Sequence, residues 1–256
     1  MNYHTVYDYT ASDEMLHLYH DISVFYMYYS SMRDISVVMN GGFCEEESPA
    51  AYDEMTDGRT TYETRLASSR SDRFAHALLT FDKGFSIPLR AKINIYGTVS
   101  LKPSYYGGVA YTMETKAAET SISVKTRFKC PVNVEIGGGL NWSTTSIGIL
   151  DKPSEWRTYD IRIQPLVASK KSGVKVKLPI SYVSDKAGDE ALSYVDLSLS
   201  AEKRIGRHAS IYAEANDILH TDSRDRITRT VEGDHEDTAT EARMPGFALI
   251  GFKWVF

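Results

Sequence analysis

Gly246-Phe-Ala-Leu-Ile-Gly-Phe-Lys-Trp-Val-Phe256 closes the chain. In an extended strand Ala248, Ile250, Phe252, Trp254 and Phe256 share one face, and Leu249, Gly251, Lys253 and Val255 share the other. One face is wholly apolar, and aromatic rings stand at the last position and at two and four positions before it. Such a strand suits either the buried edge of a soluble sheet or a sheet whose outer face meets lipid. The rest of the chain has to decide between them.

Working back from that strand, apolar residues recur at every second position, the period of a strand with one greasy face. Ala209, Ile211, Ala213 and Ala215 form one such set, and Val195, Leu197, Leu199 and Ala201 another. Val174, Val176, Leu178, Ile180 and Tyr182 follow, then Tyr159, Ile161 and Ile163, then Val132, Val134, Ile136, Leu140 and Trp142. Ile122, Val124 and Phe128 continue the pattern, as do Ile93, Ile95, Gly97, Val99 and Leu101. The connections sort by length. Residues 205–207, 168–172, 129–131, 86–90 and 32–34 read as tight turns. Residues 220–242, 185–190, 150–155, 102–112 and 44–59 read as longer loops. Short turns at one end and long loops at the other are the habit of a membrane barrel. The two longest loops are acidic, and the tight turns lean basic through Arg33, Arg90, Lys129, Lys170, Lys171 and Arg207.

The fold class these patterns predict is all-β: an antiparallel up-and-down transmembrane β-barrel of about eleven strands. Residues 1–256 form one barrel segment, in which residues 60–85 read as one long strand or a hairpin broken near 68–73, the single strand being favoured because a hairpin would put the longest acidic loop on the tight-turn side. Counted back from Phe256, the first strand near 21–31 runs downwards. Single-chain bacterial barrels have an even strand number. The expectation is therefore an incomplete half-barrel, the C-terminal part of a larger one with upstream strands missing. The first twenty residues carry no basic start, apolar stretch and cleavage site, which fits the same expectation. No apolar run reaches the roughly 18 residues of a membrane helix. A net charge of −5 argues against nucleic acid as a partner.

The closing strand, through Phe252, Trp254 and Phe256, resembles the C-terminal signal that the barrel-assembly machinery reads in outer-membrane proteins. The stretch before it runs Tyr194-Val-Asp-Leu-Ser-Leu-Ser-Ala201, then the basic turn Lys203-Arg-Ile-Gly-Arg207, then Ala209-Ser-Ile-Tyr-Ala-Glu-Ala-Asn216-Asp-Ile-Leu219. This order resembles TonB-dependent receptors of the Bacteroidetes type. Asn216, Ile218 and Leu219 stand where that family carries an Asn-Leu-Leu/Phe-like element, with Asp217 intervening. The resemblance implies a plugged barrel of roughly 22 strands in the bacterial outer membrane. It also implies inward transport of a large scarce nutrient (an iron chelate, a corrinoid or an oligosaccharide) with energy passed on by TonB. In that family the plug and the TonB-contacting segment are both N-terminal; neither is evident in these residues, so the expected partners are missing N-terminal barrel strands, a plug and TonB acting through it, and this chain alone is not expected to transport.

Other constellations are weaker. His17 and His20 point to opposite faces of a strand, and neither they nor His4 suggest a metal site. Gly137-Gly138-Gly139 lies inside an alternating strand and reads as relief of crowding or a bend in the wall. Lys170-Lys171-Ser172-Gly173 lacks the rest of a phosphate loop. Cys44 and Cys130 fall at opposite ends of the topology, so no disulfide is expected. The charged candidates for the lumen are Lys125, Arg127, Glu135, Arg162, Glu202 and Glu214. Solute contact is expected more from loops 44–59 and 220–242. No catalytic residue, cofactor or enzymatic activity is expected. The rivals are a self-contained small outer-membrane barrel, channel or enzyme, and a soluble glycan-binding β-sandwich. The sandwich requires Ile93, Val134, Leu197 and Phe252 to pack inside; the barrel requires them on a lipid-facing belt.

Overall fold

The computed structural model describes residues 4–8, 18–47, 49–57, 60–148, 152–169, 171–188, 190–206, 208–219, 224–232, 235–243 and 245–254. Among these every regular element is a strand. They are β1 (His4–Asp8), β2 (Leu18–Ser30), β3 (Ile35–Glu47), β4 (Ala50–Asp57), β5 (Thr60–Ala67), β6 (Asp72–Gly84), β7 (Leu89–Tyr106), β8 (Val109–Thr126) and β9 (Val132–Ile147). They continue as β10 (Ser154–Ser169), β11 (Val174–Lys177), β12 (Ile180–Ala187), β13 (Glu190–Leu197), β14 (Leu199–Ile205), β15 (Ala209–Asn216), β16 (Arg224–Glu232), β17 (His235–Arg243) and β18 (Phe247–Trp254). Sixteen of them make one sheet, and β16 pairs with β17 in a separate ribbon.

The wall of the sheet is an up-and-down meander. Each wall strand pairs antiparallel with the next, in the order β2, β3, β6, β7, β8, β9, β10, the collinear β11 and β12, the collinear β13 and β14, β15 and β18. That is about eleven wall positions, as the alternation predicts. The sheet is open among the described residues: β2 pairs only with β3, and β18 only with β15.

The breaks between β11 and β12 and between β13 and β14 are not changes of direction. Ile163 faces Ile180 and Leu166 faces Lys177, so two residues lie between on each strand and none is inserted. Pro165 and Pro179 occupy the gap and have no N–H to give the ladder. Their carbonyls still accept, from Leu178 N at 3.1 Å and from Ser198 N at 3.0 Å.

The five tight turns fall where the sequence places them. The long connections do not all behave as loops. In 102–112 the strands continue to a two-residue turn at Gly107-Gly108, with φ of 56° and 79°. Both central residues of such a hairpin need positive φ, which two glycines supply without strain. Likewise β12 and β13 run on until only 188–189 separate them. Loop 44–59 is largely strand, and most of 220–242 is the β16–β17 ribbon. The segment 60–85 keeps one direction but is two strands, β5 and β6, interrupted at 68–71. There the ribbon crosses over itself. Below the crossing β6 lies between β3 and β7; above it β4, the continuation of β3, lies between β5 and β7, where it runs parallel to β7. Two-stranded ribbons twist more than wide sheets, and here half a turn exchanges the sides. Ser68 N donates to Pro49 O at 3.0 Å at the crossover, and Ala51 and Ser68 are buried beside it.

The described residues hold no packed core. Buried hydrophobic residues are Ala51, Tyr111, Ile147 and Ala187, all towards the long-loop end. Ile93, Val134 and Leu197 are half-exposed and Phe252 is 59% exposed. A soluble sandwich would bury these four, so that alternative is overturned.

Candidate functional site

Register decides which side chains share a face, because directly opposed residues of an antiparallel pair point the same way. Starting at Ile95 and following opposed partners, one face collects Met39, Leu79, Ile95, Thr120, Leu140 and Tyr159. Neighbouring rows add Phe81, Ile93, Ile122, Ile161 and Tyr182, and farther along Leu199, Ala213 and Ile250. This face is continuous, apolar and exposed: Ile122 is 57%, Ile161 58% and Ile250 83% accessible. At the long-loop end it is bordered by ion pairs, Arg73 Nε to Glu45 at 2.8 Å, Lys116 to Glu114 at 2.9 Å and Arg157 to Glu155 at 2.7 Å. Trp142 Nε1 donates to Glu155 at 2.9 Å on the same border.

The opposite face is polar, and register places Lys125, Glu135, Arg162, Glu202 and Glu214 on it. Lys125 and Glu135 are opposed on β8 and β9, 3.6 Å apart. Arg162 lies on β10 opposite Gly137 and Ser181. Glu202 faces Lys175 across β14 and β11, and Glu214 faces Ser200 and Leu249. A cavity of about 480 Å³ opens beside Lys175, Glu202 and Arg204 at the tight-turn end. On the same face of β6, β7 and β8 runs a neutral chain, Thr80 Oγ1 to Asn94 Oδ1 at 3.2 Å and Asn94 Nδ2 to Ser121 Oγ at 3.0 Å. His76 Nε2 lies 2.7 Å from Asn40 Oδ1 on the same face.

Arg127 lies just past the end of β8, where its N donates to Pro88 O at 2.7 Å in step with the β7–β8 ladder. Its Nη1 donates to Asp34 Oδ2 at 2.9 Å, linking two tight turns. Asp34 was not singled out from the sequence. With φ of 46° it closes turn 31–34, and its carbonyl accepts from Gly84 N at 2.8 Å. Arg90 and Asp82, 2.6 Å apart, extend this charged rim, and Lys83 Nζ donates to the Arg33 carbonyl. A signal for it was available: basic residues recur in the tight turns.

Asn216 ends β15, and Asp217 turns with φ of 50°. Ile218 N then donates to Leu197 O at 2.8 Å, while Ile218 and Leu219 remain exposed. Gly246 lies so close that an added Cβ would stand 2.1 Å from the Asp217 carbonyl oxygen. The Asn216-to-Leu219 element thus stops one strand and seats the start of the next. In β18 the rings of Phe252 and Trp254 lie 5.9 Å apart, both exposed on the apolar face. Phe256 lies outside the described residues, as does His17. His20 pairs with Glu47 at 3.2 Å. Cys44 and Cys130 are both free thiols, the first half-buried and the second exposed. No group of three or more potential metal ligands comes together among the described residues.

No protein-family model matches this sequence, and no curated protein does. Among solved structures, the chain is similar to P. aeruginosa FpvA bound to heterologous pyoverdines, at 11% identity and a TM-score of 0.48. The match covers 83% of this chain and 36% of that one.

Proposed function

We propose that this chain is a segment of the wall of a bacterial outer-membrane β-barrel, the C-terminal barrel part of a TonB-dependent receptor. The observation that carries this reading is the apolar face, continuous across all the wall strands, exposed, and backed by a polar one.

Its dimensions fit a bilayer. The row through Ile250 passes Ala213, Ala201, Val176, Val167 and Val132, and by then has reached the turn below β8. The apolar belt in β8 is centred near Ile122. The belt therefore drifts by about one residue per strand against the ladder. At ~3.3 Å per residue and ~4.8 Å between strands, that is a tilt of about 35–40°. On β6 the belt runs between Lys83 and Arg73, and at this tilt spans about 25 Å along the membrane normal, the height of a barrel's apolar band.

The edges support incompleteness. β2 has 13 residues, and half of its peptide groups face no partner among the described residues. In hydrocarbon each unpaired group costs several kcal/mol. Pairing β2 with β18 would join two strands running the same way, which an up-and-down barrel avoids. Phe25, Met27 and Tyr29 on the polar side of β2 are also exposed, at 63%, 64% and 70%. Further upstream strands are the proposed partners of this edge. A plug, TonB acting through it, the barrel-assembly machinery and outer-membrane lipid complete the set. The receptor type rests on the order of parts in residues 194–219, the Bacteroidetes assignment on Asn216, Ile218 and Leu219. The proposed cargo is an iron chelate, a corrinoid or an oligosaccharide, bound and passed on without chemical change.

The test is face-selective labelling. Cys44 and Cys130 are replaced by Ser, and single cysteines are placed at Ile136 and Ile250 or at Ser121 and Glu214. After reconstitution in vesicles, a charged maleimide is expected to label the second pair and spare the first. Equal labelling would overturn the reading.

A further inference from the structure

On the apolar face Gly41, Ala77, Gly97 and Ala118 are successive cross-strand partners on β3, β6, β7 and β8. With Val24, Tyr26, Met39, Leu79 and Ile95 they line a depression of about 510 Å³, almost wholly apolar. A second hollow of about 280 Å³ continues it towards the long-loop end, between Phe43, Ala75, Val99 and Leu101, and reaches Arg73.

The small residues are not forced by the backbone. A Cβ at Gly41 would meet its nearest neighbour, the His76 carbonyl oxygen, at 3.5 Å, and one at Gly97 would meet the Ala117 carbonyl oxygen at 3.7 Å. Both are ordinary contacts, so the ladder would accept alanine or larger. Glycine inside a strand weakens it. The hollow is thus kept open where the sheet itself does not require it.

From the row of Leu79 to that of Arg73 is six residues, about 20 Å along the strands. At the tilt above this is about 15 Å along the membrane normal, half the ~30 Å hydrocarbon thickness. Arg73 then stands at headgroup level. Its Nε donates to Glu45 at 2.8 Å, which fixes the guanidinium plane and leaves the terminal nitrogens for a further acceptor. A guanidinium presents paired donors that match phosphate oxygens.

We infer that this groove binds one acyl chain of an anionic, phosphate-bearing lipid of the long-loop leaflet, with the phosphate on Arg73. The inference rests on the membrane reading above. Glu45 subtracts from the attraction and makes the site selective rather than tight.

The full chain is reconstituted in vesicles of phosphatidylcholine with about one part in five phosphatidylglycerol, floated after a urea wash, and its retained lipid read by native mass spectrometry. Wild type is expected to retain phosphatidylglycerol above its share in the vesicle. Arg73→Gln should lower that preference about fivefold, the loss of roughly one charge-assisted hydrogen bond. Gly97→Trp should lower retention of both lipids, and Ala213→Phe, elsewhere on the belt, should change neither. Flotation with no preference in wild type, or a preference untouched by Arg73→Gln, overturns the lipid site alone. Removal of the protein by urea overturns the membrane reading and the lipid site together.

Discussion

Two groups of glycines sit in the same wall and answer opposite physical demands. At Gly137, Gly138 and Gly139 on β9 the neighbouring strands come too near for a side chain: a Cβ would stand 2.8 Å from the Ile122 oxygen, 2.6 Å from the Asp160 oxygen and 2.9 Å from the Asp160 carboxylate. At Gly41 and Gly97 the neighbours stand off and space remains. The first group serves the sheet, drawing three strands together where the wall is crowded. The second leaves a surface hollow that the sheet does not need. A glycine in a strand therefore has no single meaning, and only the distance to the next backbone separates the cases.

Substitutions by alanine should rank accordingly, read as the urea midpoint of the folded protein in vesicles. The largest loss is expected at Gly246, whose Cβ would meet the Asp217 oxygen at 2.1 Å. Overpacking against backbone there should remove about 3 kcal/mol. A loss below 1 kcal/mol would mean that the Asp217 turn yields freely. Gly138→Ala should remove about 2 kcal/mol for the same reason; a neutral outcome would erase the contrast between the two groups. Gly108→Ala meets nothing within 4 Å but keeps φ at 79°. It should lose about 1 kcal/mol, the strain of a left-handed residue alone. Smallest and opposite in sign is Gly97→Ala, expected to gain about 0.5 kcal/mol by stiffening the strand. A loss there would show that the groove's emptiness is structural after all.

The alternation made the wall legible from the sequence, because only one face of each strand is apolar and register cannot slip without turning that face over. Hence the tight turns and the direction of 60–85 could be read beforehand. Beyond the belt the two faces no longer differ in polarity and the period is lost, so the strand extensions through 102–112 and 185–190 looked like loops. The crossing near Pro49 and Ser68 arises from ribbon twist, which no local pattern encodes. The lipid groove needed four strands to be aligned before Gly41, Ala77, Gly97 and Ala118 became one feature.

Pro165 and Pro179 leave two carbonyls, on Leu178 and Ser198, without the N–H that each would otherwise face. Lying on adjacent strands, these vacancies form a diagonal seam across the wall rather than isolated defects. Deuterium should enter the amides flanking this seam before those of β7 and β8, whose ladder is unbroken over its whole length. Two prolines on adjacent strands thus turn separate gaps in the ladder into one line along which the sheet would yield first.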